Sequence, residues 1–450
     1  HFYQVIKNMY ASNSSAIKLD CNLTDPLQIK KGVRQGDILS PLLFNIFIND
    51  IVQEFNSHES HPPSLIQQHV GSLLYADDLV IMSTSAAGLQ NSMNKLSKYC
   101  SKWKMEVNMS KTKVMSLTKS GNPLNLNITY NCTQIEQVKS YSYLGIEVSS
   151  NGSFKQAEYS MTAKAKKALF KLQGLLMQSN LKPSLALRLF DQLIKPICLY
   201  GSEIWGIEKL KLNNISKVYE SMDSFTSEKP NLSFSKFILG VHKKAQNTAV
   251  RSELGRFPLG IDIITNIISY EKRFSDTNTY SLLKEAYTLS KNNNKSWVSK
   301  CHRLGSIIFE TTNKNPFECS RKAVQNIMRQ LYKNYWKEKI STEAKMRSYI
   351  QFKTKFSYEP YLDSLQFQQR KSLTRFRISA HNLPIERGRY CRPKLPEGER
   401  TCPFCPSEIG NEIHFLTDCK EYKTQRDATF QTIDTCLLYT SDAADDSVYV

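Results

Sequence analysis

Leu73-Leu74-Tyr75-Ala76-Asp77-Asp78-Leu79-Val80-Ile81 runs apolar, acidic, then apolar again, and no other stretch constrains this chain as tightly. The residues up to Tyr75 read as one short buried strand and those from Leu79 to Met82 as a second, with the two aspartates left at the tight turn between them. Neighbouring side chains on a regular strand point to opposite faces, so adjacent aspartates share a site only at a turn. Two carboxylates held there repel one another unless a cation lies between them, and a divalent metal is the usual cation. An Asp-Asp turn facing water is the plain alternative. The surrounding sequence decides between the two.

The chain of 450 residues is long enough for about two or three domains with real cores. Its 60 Lys and Arg against 41 Asp and Glu leave a formal charge of +19, which favours a polyanionic partner over a neutral metabolite, with nucleic acid first. An anionic membrane surface would also attract such a charge, but no apolar run approaches the roughly 18 residues that span a bilayer. Eleven cysteines are scattered without a dense framework, which suits a reducing, intracellular compartment, cytoplasm or nucleus. The first residue is His1 rather than Met, so the chain is expected to be the C-terminal part of a longer protein.

Residues 1–20 read as a helix and then a loop, and a strand leads on to Leu27-Gln28-Ile29-Lys30. In Gly32-Val33-Arg34-Gln35-Gly36-Asp37, two glycines flank Arg and Gln. The backbone there can approach a ligand closely while a cation and an amide face it, although ordinary loop punctuation has the same look. Ser40-Pro41 reads as the N-cap and first residue of a helix whose Leu42, Leu43, Ile46, Phe47 and Ile51 recur at helical spacing and are expected to be mostly buried. Past the acidic stretch, Leu89, Met93, Leu96, Cys100 and Trp103 mark the core face of an amphipathic helix. Strands are expected over 103–107 and 112–118, around the polar turn Asn108-Met109-Ser110-Lys111-Thr112-Lys113, and Asn151-Gly152 closes the region as a turn. The region up to residue 152 is therefore a mixed α+β domain.

At about residue 153 the pattern changes to long helices. Lys164, Lys167 and Lys171 lie three and four apart, opposite Ala165, Leu169, Leu172 and Leu176, and form a basic stripe that is either a ligand track or a solvated face. Leu199-Tyr200-Gly201-Ser202-Glu203-Ile204-Trp205-Gly206 sets two glycines around an aromatic cluster, and residues 260–380 show no readable chemistry. Cys402-Pro403-Phe404-Cys405, then His414, then Cys419 give C-x2-C-x8-H-x4-C, the four soft ligands of a tetrahedral zinc site. Residues 435–450 turn abruptly acidic and small, and are expected to be a non-native tail.

Taken in order, these motifs resemble the reverse transcriptase of LINE-type (non-LTR) retrotransposons over about residues 1–425. Residues 32–47 resemble that family's loop-and-helix motif, Tyr75-Ala76-Asp77-Asp78 its polymerase box and residues 108–113 its lysine motif. Tyr143-Leu144-Gly145 resembles the primer grip, residues 199–206 the thumb signature, and the Cys/His cluster the C-terminal zinc knuckle. The resemblance implies an α+β fold: a partial polymerase palm with an acidic β-hairpin (1–152), a helical thumb (153–260), a helical connecting region (261–385) and a zinc-knuckle segment (386–425).

It also implies an RNA-directed DNA polymerase in which Asp77 and Asp78 hold two Mg²⁺ ions and Lys111 neutralises or protonates the leaving pyrophosphate. Arg34, Gln35, Gly36 and Tyr75 would line the nucleotide and template, and Lys164, Lys167 and Lys171 would follow the duplex. Cys402, Cys405, His414 and Cys419 would hold a structural Zn²⁺. The implied partners are template RNA, a DNA primer and dNTP, with no membrane. The family's remaining metal-binding aspartate lies on a strand upstream of the helix that begins this sequence, and residues 1–31 offer no match to it. The chain alone is therefore expected to extend no primer. A nucleic-acid-binding remnant without catalysis is the alternative reading; a group II intron maturase fits the thumb and knuckle motifs less well.

Overall fold

Helix α4 (Ala86–Trp103) shows how local sequence becomes an element here. Ser85 caps it by accepting a hydrogen bond from the Gly88 amide, and Met93, Leu96 and Cys100 recur at three- and four-residue spacing to bury one face. The computed structural model describes residues 1–431 apart from 12, 30, 31, 119, 180 and 276–280. The tail expected at 435–450 lies outside the described residues. The chain divides into two compact units, residues 1–139 and 140–450.

The first unit begins with α1 (Phe2–Ala11), followed by two small ladders in which β1 (Ser14–Ser15) pairs with β4 (Leu27–Gln28) and β2 (Lys18–Leu19) with β3 (Asn22–Leu23). Then come α2 (Ser40–Ile48), α3 (Ile51–Phe55) and the hairpin of β5 (Ser72–Tyr75) and β6 (Asp78–Ile81). After α4, β7 (Thr129–Tyr130) pairs with β8 (Thr133–Gln134). The core gathers Ile48, Ile51 and Phe55 against Met93, Leu96, Tyr99, Cys100 and Ile128. Each large apolar side chain so buried contributes roughly 1.5–3 kcal/mol.

Several expectations fail in this unit, among them the burial of the acidic hairpin's first strand, where Leu73 is 42% and Tyr75 64% exposed. Helix α2 is not mostly buried: Leu42 is 57% and Ile46 66% exposed, and only Ser40 and Ile48 are buried along it. Its spacing is helical as read, but Phe44 and Ile48 face the core while no described element of the unit covers the opposite side. The strands expected over 103–107 and 112–118 do not form either. Trp103 ends α4, Lys104 takes the left-handed cap conformation, and the only pairing among the described residues of the segment is one parallel bridge from Val114 to Gln137. Alternating apolar residues here line a loop that packs Val114 inward without a partner strand for a full ladder.

The second unit opens on the hairpin of β9 (Ser140–Tyr143) and β10 (Ile146–Ser149) and continues almost wholly as helices. These begin with α5 (Lys155–Gln178), α6 (Pro183–Leu193), α7 (Lys195–Leu199) and α8 (Ser202–Trp205). One apolar core joins Leu169, Phe190, Trp205 and Phe225 to Ile264, Leu304, Met328 and Trp336, so the described residues of 261–385 belong to the same packed body as α5. Inside it, Arg251 pairs with Glu228 at 2.9 Å, and the same carboxylate accepts the Leu259 amide at 2.7 Å. The chain is thus of mixed α+β class, with small antiparallel sheets and a helical majority. No described helix is long and apolar enough to cross a membrane.

Candidate functional site

The acidic stretch forms a hairpin in which Leu74 opposes Leu79 and Tyr75 opposes Asp78. Opposed residues share a face, so Leu74, Leu79 and Ile81 pack on the core while Leu73, Tyr75, Asp78 and Val80 lie on the other side. The turn is only Ala76-Asp77, and Asp78 already belongs to β6. A two-residue turn matches the twist of the strands when its first residue takes a positive φ, and Ala76 does so at 51°. This is strained for a residue with a Cβ, and such strain gathers where geometry serves a site. Tyr75, Asp77 and Asp78 are all exposed at the tip. Among the described residues, no third His, Cys, Asp or Glu joins these aspartates in a metal-holding cluster.

In the glycine-flanked loop, Gly36 sits at φ 94° and Gln35 and Gly36 are exposed. Arg34 is engaged locally: its Nη2 donates to the Met9 carbonyl at 2.7 Å, its Nε donates to Asn13, and it lies over the Tyr10 ring. It ties the loop to the end of α1. Asp37 accepts the Leu39 amide with one oxygen, while its other oxygen is buried without a partner. Asn108 organises the lysine turn: its side chain accepts the Lys111 amide at 3.2 Å and its carbonyl accepts Thr112 Oγ1 at 2.9 Å. Lys111 is exposed, and Lys113 pairs with Glu136 at 2.6 Å.

In the second unit, Leu144-Gly145 turns the β9–β10 hairpin with both residues at positive φ. The Tyr200 hydroxyl donates to the Leu144 carbonyl at 2.8 Å, and Trp205 Nε1 donates to the Tyr200 carbonyl at 2.9 Å. The aromatic cluster at 199–206 therefore clamps the hairpin tip. Gly201 permits this, because a Cβ there would fall 2.1 Å from Ile146. On α5, Lys164, Lys167 and Lys171 are exposed while Ala165, Leu169 and Leu172 are buried, as the spacing requires.

Cys402, Cys405, His414 and Cys419 do converge: one ligand atom from each lies within 4.8 Å of all the others, and all four residues are buried. Cys402 Sγ is 3.7 Å from Cys419 Sγ, too far for a disulfide. It matches the edge of a tetrahedron whose metal–sulfur bonds are about 2.3 Å. His414 Nε2 is buried with no hydrogen-bond partner, as a nitrogen reserved for a metal would be. Burial opposes ionisation of Cys402, yet the Phe404 and Cys405 amides, together with hydrogen bonds from the Cys419 and Cys405 thiols, hold it below its ordinary range. Asn411 caps the short helix Glu412–Thr417 by accepting the His414 amide, which presents the imidazole.

No spacing or motif in the sequence points to what anchors this module. Buried Glu412 accepts from Ser348 and Ser379, each at 2.8 Å, from His381 at 2.9 Å and from Arg347 at 3.1 Å. Burial pushes its carboxyl up, but the His381 hydrogen bond, Arg347 and Ser348 dominate and bring it down to about 2. Its partners lie 31 to 65 residues away in sequence, and only its place just after the cap Asn411 marks it. A folded carboxyl held below its unfolded value stabilises fully above about pH 4.3, and that contribution is lost as pH falls toward 2. Glu412→Gln leaves Arg347 and His381 facing a neutral amide, and should cost about 3–5 kcal/mol at pH 7. Circular dichroism melts should show a midpoint several degrees lower at pH 7, with a smaller gap between variant and parent at pH 3. Equal midpoints at pH 7 would remove Glu412 as the anchor.

Residues 2–148 match the family model of the reverse transcriptase (RNA-dependent DNA polymerase). Among curated proteins, the chain is 27% identical over 217 residues to a probable RNA-directed DNA polymerase from transposon BS of Drosophila melanogaster, covering 46% of this chain and 23% of that protein. It is 26% identical over 191 residues to the Pol polyprotein of the type-1 retrotransposable element R2 of Popillia japonica, covering 41% and 30%. To the RNA-directed DNA polymerase from mobile element jockey of Drosophila funebris it is 23% identical over 229 residues, covering 49% and 24%. The aligned stretches thus span less than a third of the length of each of these relatives.

Proposed function

For a chain that belongs, over residues 2–148, to the reverse transcriptases of non-LTR retrotransposons, we propose RNA-directed DNA polymerisation by two-metal nucleotidyl transfer. The observation that carries the reading is the acidic hairpin tip, with Tyr75, Asp77 and Asp78 exposed together on a turn anchored by Leu74 and Leu79. Carboxylate oxygens are hard ligands suited to Mg²⁺, which binds through one or two carboxylates and the substrate's phosphates. When bound, such ions activate the primer 3′-hydroxyl and stabilise charge on the leaving pyrophosphate. Asp77 and Asp78 would hold them, with a third carboxylate supplied by another segment.

Around this tip, Gln35 and Gly36 form the wall for the incoming nucleotide and template base, and Arg34 holds that wall in place through α1. Tyr75, on the same hairpin face as Asp78, packs against the nucleotide. Lys111 offers an ammonium to the pyrophosphate as its charge develops. Residues 1–152 then act as palm, 153–260 as thumb, 261–385 as connecting region and 386–425 as zinc knuckle, in a protein that works in the nucleus or cytoplasm. The convergence of three thiols and one orphaned imidazole nitrogen supports Zn²⁺ as the structural metal. The deciding assay is primer extension in Mg²⁺ on RNA and DNA templates by a protein extended upstream of residue 1. Extension on RNA supports the reading; tight template-primer binding with no extension favours the non-catalytic remnant.

The basic face of α5 is proposed to follow the phosphates of the template-primer duplex. Replacing Lys164, Lys167 and Lys171 by Gln should weaken duplex binding and flatten its dependence of log K on log salt by about 0.9 for each phosphate no longer neutralised. An unchanged slope would return these lysines to the solvated face.

A further inference from the structure

Apart from the α5 lysines, the second unit gathers cations from three separate stretches: the loop after the helix Glu228–Leu239, the helix Phe367–Arg377, and the segment around Lys345. Arg375 Nε donates to the Gly240 carbonyl at 3.0 Å, and the aliphatic stem of Lys371 lies against the same glycine. Lys236 Nζ donates to the Lys243 carbonyl at 2.7 Å and holds the loop so that His242, Lys243 and Lys244 stay exposed. Burial, and then Lys345, Arg375, Lys236 and Lys244, push the His242 imidazole below its ordinary range, and Gln246, at the end of this loop, donates to Glu343 two residues before Lys345. The nearby acids have other partners: Glu343 accepts from Gln246, and Glu386 pairs with Arg347 and Arg389. Cations assembled this way repel one another and destabilise the fold unless a polyanion joins them.

Two exposed aromatic rings bracket this surface. Phe367 is 47% exposed, with the Arg370 guanidinium 5.2 Å and the Lys371 ammonium 5.7 Å from its ring centre. Tyr390 is 56% exposed, with Lys345 Nζ 5.4 Å from its ring centre and donating to its hydroxyl at 2.9 Å. Arg387 and Arg392 are exposed beside it. A duplex offers its phosphates but keeps its base faces stacked inside, whereas a single strand offers both phosphates and bases. Aromatic rings set among cations therefore suit a single strand.

We propose that the surface from Phe367 across Lys371, Arg375 and the His242-Lys243-Lys244 loop to Lys345 and Tyr390 binds single-stranded RNA, through its phosphates and two stacked bases. The choice of RNA rests on the polymerase reading above, since a template not yet copied is the single strand such an enzyme must hold.

The test is fluorescence anisotropy of the full chain with a short unstructured labelled RNA over a salt series, with DNA of the same sequence and a blunt DNA duplex as parallel probes. Lys243→Gln with Lys244→Gln should flatten the salt slope by about 0.7 for each phosphate left without its cation. Phe367→Ala and Tyr390→Ala should each weaken RNA binding about tenfold, within the range for removal of one stacked base. Both lysines are fully on the surface, so the charge variant reads out even where an aromatic variant melts early by circular dichroism. Unchanged affinity and slope in the folded charge variant overturn the proposal. So does equal weakening for the duplex, or equal parent affinity for the DNA strand. Primer extension by a protein extended upstream of residue 1 separates the two readings: weakened RNA binding by the charge variant with no extension by that longer parent sinks only the polymerase, and extension with unaltered RNA binding sinks only this surface.

Discussion

Asp77→Ala should abolish the proposed RNA-templated primer extension, with a single-turnover rate lowered at least about a thousandfold. Metal-based charge stabilisation supplies several kcal/mol of barrier reduction, and each 1.36 kcal/mol is a factor of about ten. Asp77 occupies the second position of a two-residue turn, so the substitution removes a carboxylate without disturbing the Leu74–Leu79 pair that fixes the hairpin. Template-primer affinity should stay within a few-fold, because the substitution leaves the cations proposed to carry that binding in place. The measurement belongs on a protein extended upstream of residue 1 so as to offer a third carboxylate, since each ion needs oxygen ligands from more than one side. Robust extension by the Asp77→Ala protein refutes the assignment. Robust extension by the 450-residue chain alone identifies another carboxylate as the one completing the site.

The second large effect concerns the C-terminal module. Cys419 is fully buried, and its sulfur lies 3.7 Å from that of Cys402. A structural zinc contributes apparent binding energies of about 10–16 kcal/mol in small domains, far more than the limited packing of such a module supplies without it. One zinc per chain is expected by elemental analysis, and Cys419→Ser should abolish it. Hydrogen exchange should then rise across residues 400–422, while helices of the main core such as Trp297–Thr312 keep their protection. Zinc-free parent protein with full protection over 400–422 would show that the fold holds the cluster without metal.

The hairpin, the α5 stripe and the Cys/His cluster were legible because each is carried by spacing: period two, period three to four, and C-x2-C-x8-H-x4-C. In each case the chemistry is set by residues close in sequence, and local geometry brings them together whatever the surrounding fold. Helix α2 shows the limit of that logic. Its period is helical and its residues apolar, but period says only which residues share a face; whether another element covers that face is a long-range fact, and Ile46 remains 66% exposed. The loop over 104–118 fails for the same reason, because a strand needs a partner that alternation cannot supply.

By itself the sequence determined the chemistry this protein carries: two adjacent carboxylates between apolar strands, a basic helix face, and a soft-ligand set spaced for one tetrahedral metal. Only the tertiary structure decided where Asp78 points, since pairing with Tyr75 takes it out of the turn and onto the outer face of β6. It alone showed Arg34 bracing the loop on the end of α1, and made Glu412 the anchor of the Cys/His module through Arg347, Ser348, Ser379 and His381. It also brought Lys345, Lys371 and Arg375 around the His242 loop. Hydrogen bonds, ion pairs and charge clusters act over a few ångströms of space between residues tens to hundreds of positions apart, and a linear pattern carries no record of that distance.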